Sequence, residues 1–454
     1  MELDIPKRTN AFIELFPSIG LSSWIGNSAA ALARCWRGFV AGIKHRRDLS
    51  RLADLDDHML ADVGLTRSDL YLAYYEPLWG DPTSILERRI SDRRAAFALS
   101  AQHRARSEDD PRMSLASAPR ARAGAAAGAL FLSRSDVERL LAPDECISAV
   151  EDAFRQHALG KAPAPAILSL HAEDGSFHIK AALLTLGEPY FAAKTNANFP
   201  HNGARHGLPT IQGVVVLCEA VTGQPLAVMD SMAITALRTA AATAVAAKYL
   251  ARKNSRTALI CGCGGQAPAQ LRALLRVRGL ERIYACDQDA EKARAFAAAL
   301  GTETGLPITT VSDLPRAVAE SDIVVTCTTA RHYFITREMV RPGTFVAGVG
   351  ADNENKQELD PALLAASKLV TDLTEQCAVI GDLHHALAAG AMTRSGVHAE
   401  LGEIVAGLKP ARASEEETIV FDSSGTALQD VAAAVAVYRR AIRDSGSPRF
   451  SFNA

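Results

Sequence analysis

The stretch that decides the fold runs Thr257-Ala-Leu-Ile-Cys-Gly-Cys-Gly-Gly-Gln-Ala-Pro-Ala-Gln-Leu-Arg-Ala-Leu-Leu-Arg276 and closes with Leu280-Glu-Arg-Ile-Tyr-Ala-Cys-Asp287. Thr257 to Cys261 is a short apolar run with strand character. A glycine-rich turn follows at once, and Pro268 sits in the first turn of a helical stretch, where its missing N–H has no partner to lose. The second apolar run ends on an acid. Strand, tight turn, helix, strand, acid is the order of a dinucleotide-binding unit. Gly262 lets the chain turn tightly, and Gly264 lets the backbone approach a pyrophosphate at the positive end of the helix. Gly265 and Gln266 complete the loop. Ala267 stands where a third glycine often allows close helix–sheet packing. Asp287 lies 23 residues beyond Gly264. Its carboxylate suits two ribose hydroxyls and repels a 2′-phosphate, and Gln288-Asp289 rather than an arginine follows. The expected cofactor is therefore NAD rather than NADP.

Outward from this unit, Asp322–Thr329 and Thr344–Gly350 read as further strands of the same sheet, ending beside the nicotinamide. The fold class is α/β, with a doubly wound parallel sheet and a second, mixed α+β region. In that region Pro143 opens a helix to about Gly160, and strands are expected near 166–171, 176–184 and 190–195.

The chain has 454 residues, 48% apolar and 22% charged, with a net charge of −2. This excludes a disordered chain or a fibrous repeat, and nothing global points to nucleic acid. The eight cysteines are scattered, without zinc spacing, and read as reduced thiols; no metal is expected. No apolar run reaches membrane-spanning length and the start lacks a signal-peptide pattern, so a cytoplasmic location is expected.

The composition changes near residue 123. The first part is dense in charge, with Arg34, Arg37, Lys44, Arg46 and Arg47 uninterrupted by acids. Leu52, Leu55, Met59, Leu60 and Val63 share a helical face, and Gly64 marks its end. The arginines read first as a solvated helix face, with RNA, phosphate or protein contact as the alternative. Residues 96–128 read as a flexible linker.

The substrate side is read from isolated charges. Lys194 ends the apolar run Pro189–Lys194. Arg238 lies in an Ala-rich helix, 233–252, that is apolar almost all round. A buried guanidinium cannot lose its proton and needs a partner, either a substrate carboxylate or a structural aspartate. Asp352 follows a predicted strand end and faces the crevice of an open sheet. His384-His385 are expected to point apart, as surface or interface residues.

Two resemblances add to this reading. Residues about 40–95, with "LADLDDHMLADVGLTRSDL", resemble a short arginine-rich proteobacterial domain of unknown function. Residues about 130–446 resemble the ornithine cyclodeaminase/mu-crystallin family, through "GLPTIQG" (207–213), "TGQPLAVMDSMAITALRTAAATAVAAKYLARKNSRT" (222–257), "CGCGGQA" (261–267), "GVGADNENKQELD" (348–360), "AELGEIVAGLKPAR" (399–412) and "DSSGTALQDVAAA" (422–434). The resemblance implies a Rossmann-type domain (251–381) inserted into a substrate/dimerisation domain made of 129–250 and 382–446, and a homodimer. It implies that Lys194 and Arg238 bind the substrate carboxylate, with Thr210 nearby, that Lys194 and Asp352 are catalytic, and that Thr239 approaches the cofactor. A family arginine about two dozen residues before the lysine is missing, and Lys180 is the nearest cation to replace it. The implied chemistry is NAD-dependent oxidation of an L-α-amino acid. Ornithine cyclodeamination to proline is ranked first, then an alanine-type dehydrogenase, then a cyclic ketimine reductase, with a non-catalytic NAD-binding protein as the remaining alternative.

Overall fold

In the computed structural model, residues 128–444 and 446–452 are described. The expectations for residues 1–127 lie outside them. The chain enters with β1 (Ala129–Leu132), α1 (Arg134–Leu140) and α2 (Pro143–Ala158). Three long strands follow, β2 (Ala166–Ala172), β3 (Gly175–Leu186) and β4 (Glu188–Asn198), then α3 (Asn202–His206), β5 (Ile211–Glu219) and β6 (Pro225–Asp230). They form a seven-stranded sheet in the order β15-β1-β6-β5-β4-β3-β2, where β15 is Arg449–Phe450. All its pairings are antiparallel except β1 with β6. The β3–β4 hairpin turns on Gly187, whose φ of +75° suits a residue without Cβ.

Helix α4 (Ser231–Leu250) leaves this sheet. Asp230 caps it by accepting from the Ala233 N–H at 2.8 Å. Its small side chains let it be buried on almost every face.

The second sheet is wholly parallel. Its elements are β7 (Thr257–Cys261), α5 (Ala267–Val277), β8 (Arg282–Cys286), α6 (Ala290–Thr304), β9 (Ile308–Thr310), α7 (Leu314–Glu320), β10 (Ile323–Thr326) and β11 (Phe345–Gly348). There follow α8 (Pro361–Ala366), β12 (Lys368–Thr371), α9 (Thr374–Ile380), α10 (Asp382–Ala388), β13 (Ala399–Glu400), α11 (Leu401–Val405) and β14 (Ile419–Asp422). The spatial order is β13-β12-β14-β11-β10-β7-β8-β9. The strand order reverses between β7 and β10, which sets the crevice outside their carboxyl ends.

One boundary differs from expectation. The dinucleotide sheet does not end near 381, because β13 and β14 add to it. Ile419-Val-Phe-Asp422 is buried along its whole length, as a parallel strand covered on both faces must be. The chain returns to the first sheet only after Asp422, through α12 (Ala427–Ala441), which packs on β3, β4, α2 and α4. The turn 423–426 is thus the crossing between the two sheets.

Candidate active site

At the dinucleotide loop, Gly262 has φ +90°, and a Cβ there would meet Thr328 Cγ2 at 2.8 Å and the Cys327 carbonyl oxygen at 2.9 Å. Its N–H donates to the Cys286 carbonyl at 2.8 Å, tying the ends of β7 and β8 together. Gly264 and Gly265 instead face open space. They lie just before the N-terminus of α5, whose free N–H groups make an anion seat. Gln266 leaves its buried Oε1 without a partner there. Asp287 is half-buried and accepts from the Cys263 N–H at 2.7 Å and the Asp289 N–H at 2.8 Å. An ionised carboxylate has about four acceptor positions, so capacity remains for ribose hydroxyls. The open cradle, the orphaned amide oxygen and the acid fit NAD.

The substrate side is built on a cross-strand pair. Lys180 on β3 and Lys194 on β4 are direct register partners, so their side chains share one face of the first sheet. Like charges placed this way repel. Both are buried, at 9% and 3% exposure. Arg238 of α4 joins them, and Asp430 of α12 answers them. The Asp430 Oδ1 lies 2.8 Å from Lys194 Nζ and 2.9 Å from Arg238 Nε. Arg238 also donates to Gln429 Oε1 at 2.7 Å, and Lys194 to Thr235 Oγ1 at 3.3 Å. Lys180 donates to the carbonyls of Ser424 and Gly425 at 3.1 and 2.7 Å. Three buried cations therefore surround one buried carboxylate. Asp430 Oδ2 and Gln429 Nε2 remain unpaired in this cluster.

Burial, Arg238 and Lys180 all disfavour the charged amine of Lys194, and despite Asp430 its pKa falls to about 7. Burial and Arg238 likewise lower that of Lys180. Burial opposes ionisation of Asp430, but Lys194 and Arg238 outweigh it and hold its carboxyl below the ordinary range.

Asp352 follows β11 and pairs with Lys356 at 2.6 Å, with 54% of its side chain open to solvent. Partial desolvation by the protein around it opposes its ionisation. Lys356, then Lys180 and His178, outweigh this and lower its pKa. His178 lies two residues before Lys180 on the same face of β3 and is held by Ser169 and Ser176 at 3.0 and 2.8 Å. Burial lowers its pKa, against the pull of Asp352.

The sheets meet at this cluster, because Lys180 of the first sheet bonds the Ser424 and Gly425 carbonyls, and Arg238 packs against Gly425, in the turn that follows β14 of the second. The substrate-side cations thus stand at the carboxyl ends of the parallel strands. Four carboxyls lie buried beneath: Glu358, Asp382, Asp422 and Asp372. Glu358 accepts from Thr326 and Thr328 as well as Gly350. Burial and Asp422 push Asp382 well up, and burial pushes Asp422 to about 7.

Lys180, Lys194 and Arg238 thus share one buried cluster, Asp352 lies near enough to Lys180 to feel its charge, and Thr239 is buried beside Arg238 on α4. Thr210 is exposed; its carbonyl accepts from Phe199, and no hydrogen bond joins its side chain to the cations. The arginine has the structural aspartate weighed as an alternative, yet that aspartate is shared with a lysine. Asp430, Gln429 and His178 were missed. An acid beside the long apolar run Val431–Val437 of helix 427–441 is the same signal that marked Arg238. His384 and His385 do not point apart: their rings meet edge to face at 5.1 Å and both are half-buried. Their ring nitrogens bond the Ala378 and Lys356 carbonyls, which turns both rings inward.

Residues 35–71 match the YjiS-like domain, a shorter span than the 40–95 expected, and the match does not speak to an arginine-rich character. Alanine dehydrogenase of Archaeoglobus fulgidus is 40% identical over 324 residues, covering 71% of this chain and 98% of that protein. The structure of an archaeal alanine dehydrogenase dimer with bound NAD matches at TM-score 0.68 and 40% identity, covering 71% of this chain and 99% of that one. That of Thermococcus litoralis Δ1-pyrroline-2-carboxylate reductase with NADH and L-proline matches at TM-score 0.67 and 35% identity, covering 71% and 100%. Residues 128–445 match the ornithine cyclodeaminase/mu-crystallin family, and the chain belongs to that family of NAD-dependent enzymes.

Proposed function

We propose that the protein is an NAD-dependent oxidoreductase that interconverts an L-α-amino acid of uncharged side chain with its 2-oxo acid and ammonia, L-alanine being the first candidate. The observation that carries this is the buried Lys180–Lys194 pair with Arg238 around a single aspartate. Paired buried cations repel unless an anion arrives, and a substrate α-carboxylate is that anion. Ornithine, ranked first from sequence, brings a second ammonium. Asp352, the acid at the cleft, is shared between Lys356 and the α-nitrogen and is not left over for a second ammonium. The identity with an alanine dehydrogenase supports the same order.

Arg238 and Lys180 hold the carboxylate and fix Cα. Gly264, Gly265, Gln266 and Asp287 would hold NAD, which would supply the hydride acceptor for the α-hydrogen. Lys194, neutral in part near pH 7, accepts the proton released from the amine or from the attacking water. Asp352 faces the cationic nitrogen and stabilises its charge. The balance is amino acid, NAD+ and water giving 2-oxo acid, ammonium, NADH and one proton.

The assembly we propose is a homodimer through the β2 edge. Every residue of β2 is exposed, Leu168 and Leu170 by half, which is costly for a free edge strand.

The test is absorbance at 340 nm with a parallel ammonia assay, over L-alanine, L-ornithine, L-lysine and L-proline with NAD. Equimolar NADH and ammonia from alanine supports the reading. Ammonia without NADH from ornithine replaces it with a cyclodeaminase. NADH from proline without ammonia replaces it with a ketimine reductase run backwards.

A further inference from the structure

Asp372 lies at the carboxyl end of β12, on the dinucleotide side, and is 1% exposed. Five donors converge on it. Oδ2 accepts from the Gly425 N–H at 2.7 Å and from Ser423 Oγ at 3.4 Å. Oδ1 accepts from Ser424 Oγ at 2.8 Å, the Leu373 N–H at 2.8 Å and the Cys377 thiol at 3.2 Å. Three of the five belong to consecutive residues, Ser423, Ser424 and Gly425, of the crossing turn.

That turn carries two features of the substrate side. Its carbonyls at Ser424 and Gly425 accept both hydrogen bonds of Lys180. Its Gly425, at φ +76°, lies so close to Arg238 that a Cβ would stand 2.7 Å from Nη1. Gln376, four residues beyond Asp372, adds bonds to Ser424 Oγ and the Gly425 carbonyl at 2.7 and 3.2 Å. One carboxylate thus fixes the peptide planes that aim the lysine, and the glycine surface that admits the arginine.

We infer that Asp372 is a positioning residue for substrate binding: from the dinucleotide sheet it clamps the Ser423–Gly425 turn, so that Lys180 and Arg238 converge on one carboxylate. The inference rests on the proposed function, because it assigns that carboxylate to substrate. An asparagine has nearly the same shape but replaces one acceptor oxygen by an NH2 group. Whichever way the amide turns, that group would face a backbone N–H, of Gly425 or of Leu373, so the turn must shift.

The experiment uses the full chain with NADH, following cofactor fluorescence as pyruvate is added. Wild type, Asp372→Asn, Lys180→Met and the double variant are compared. Asp372→Asn is expected to weaken pyruvate binding about tenfold while the NADH Kd stays within about twofold. The double variant is expected to bind pyruvate less weakly than the product of the two single effects, because part of the effect of Asp372 runs through Lys180 and the rest through Arg238. If Asp372→Asn fails to fold, Ser424→Ala removes one hydroxyl of the clamp and is expected to weaken pyruvate about threefold. Unchanged pyruvate affinity, or effects that multiply in the double variant, overturns the inference while the proposed function stands. A wild type that binds NADH but does not respond to pyruvate or to L-alanine overturns both.

Discussion

Lys194 is the residue on which the chemistry turns. Its burial beside Arg238 brings its pKa to about 7, so it exchanges protons in the working range. Amino-acid oxidation needs the neutral amine, so log kcat/KM is expected to rise with pH up to about 7 and then level, and a pH profile of Lys194→Met should lack that limb. The same variant should retain NAD binding, since Lys194 belongs to the first sheet and not to the glycine loop. Lys194 and Arg238 were legible in the sequence because a charge in an apolar run demands explanation. Their shared counter-ion was not, because Asp430 lies 236 residues from Lys194 and only folding brings it to 2.8 Å. Asp287 was legible for a different reason: its distance along the chain from the glycine loop is fixed by the unit itself.

Among elements, the turn after β7 tolerates little. Gly262 combines a left-handed φ with a neighbour at 2.8 Å, so Gly262→Ala is expected to destabilise by about 1–3 kcal/mol and to weaken NAD binding. Chemical denaturation and fluorescence titration read the two effects separately. The strand ends beneath the crevice store a proton. Asp422 titrates near 7 in the fold against 3.8 for an ordinary aspartate, so between these values the native state binds more protons than the unfolded one. Stability contributed by this group is therefore lost as pH rises from about 4 to 7. Asp422→Asn is expected to flatten that part of the stability profile, measured by denaturant midpoints at pH 5 and 7.5. These buried acids were not read from sequence: Asp372, Asp382 and Asp422 end or begin short elements, where acids are common caps and exposed turn residues. The return of β14 to the dinucleotide sheet was missed for a related reason. Four buried residues after a polar loop fit either sheet until partners are known.

For the whole molecule, the two-sheet plan followed from the glycine unit and from the alternation of long strands before it. The boundary moved because the dinucleotide sheet recruits β13 and β14 before α12 crosses back. The proposed dimer is tested at this scale. Charging the free edge with Leu168→Lys and Leu170→Lys is expected to give a monomer by light scattering, with NAD affinity unchanged.

The central claim is that the buried cations hold an amino acid so that its α-hydrogen leaves to NAD. Turnover of L-[2-2H]alanine with NAD, with mass analysis of the dinucleotide, tests it most directly. The account predicts one deuterium in the reduced dinucleotide for each ammonia released, and slower NADH formation than from unlabelled alanine. Ammonia released with no deuterium in the dinucleotide would contradict it, as would a wild type that binds NAD and leaves alanine unchanged.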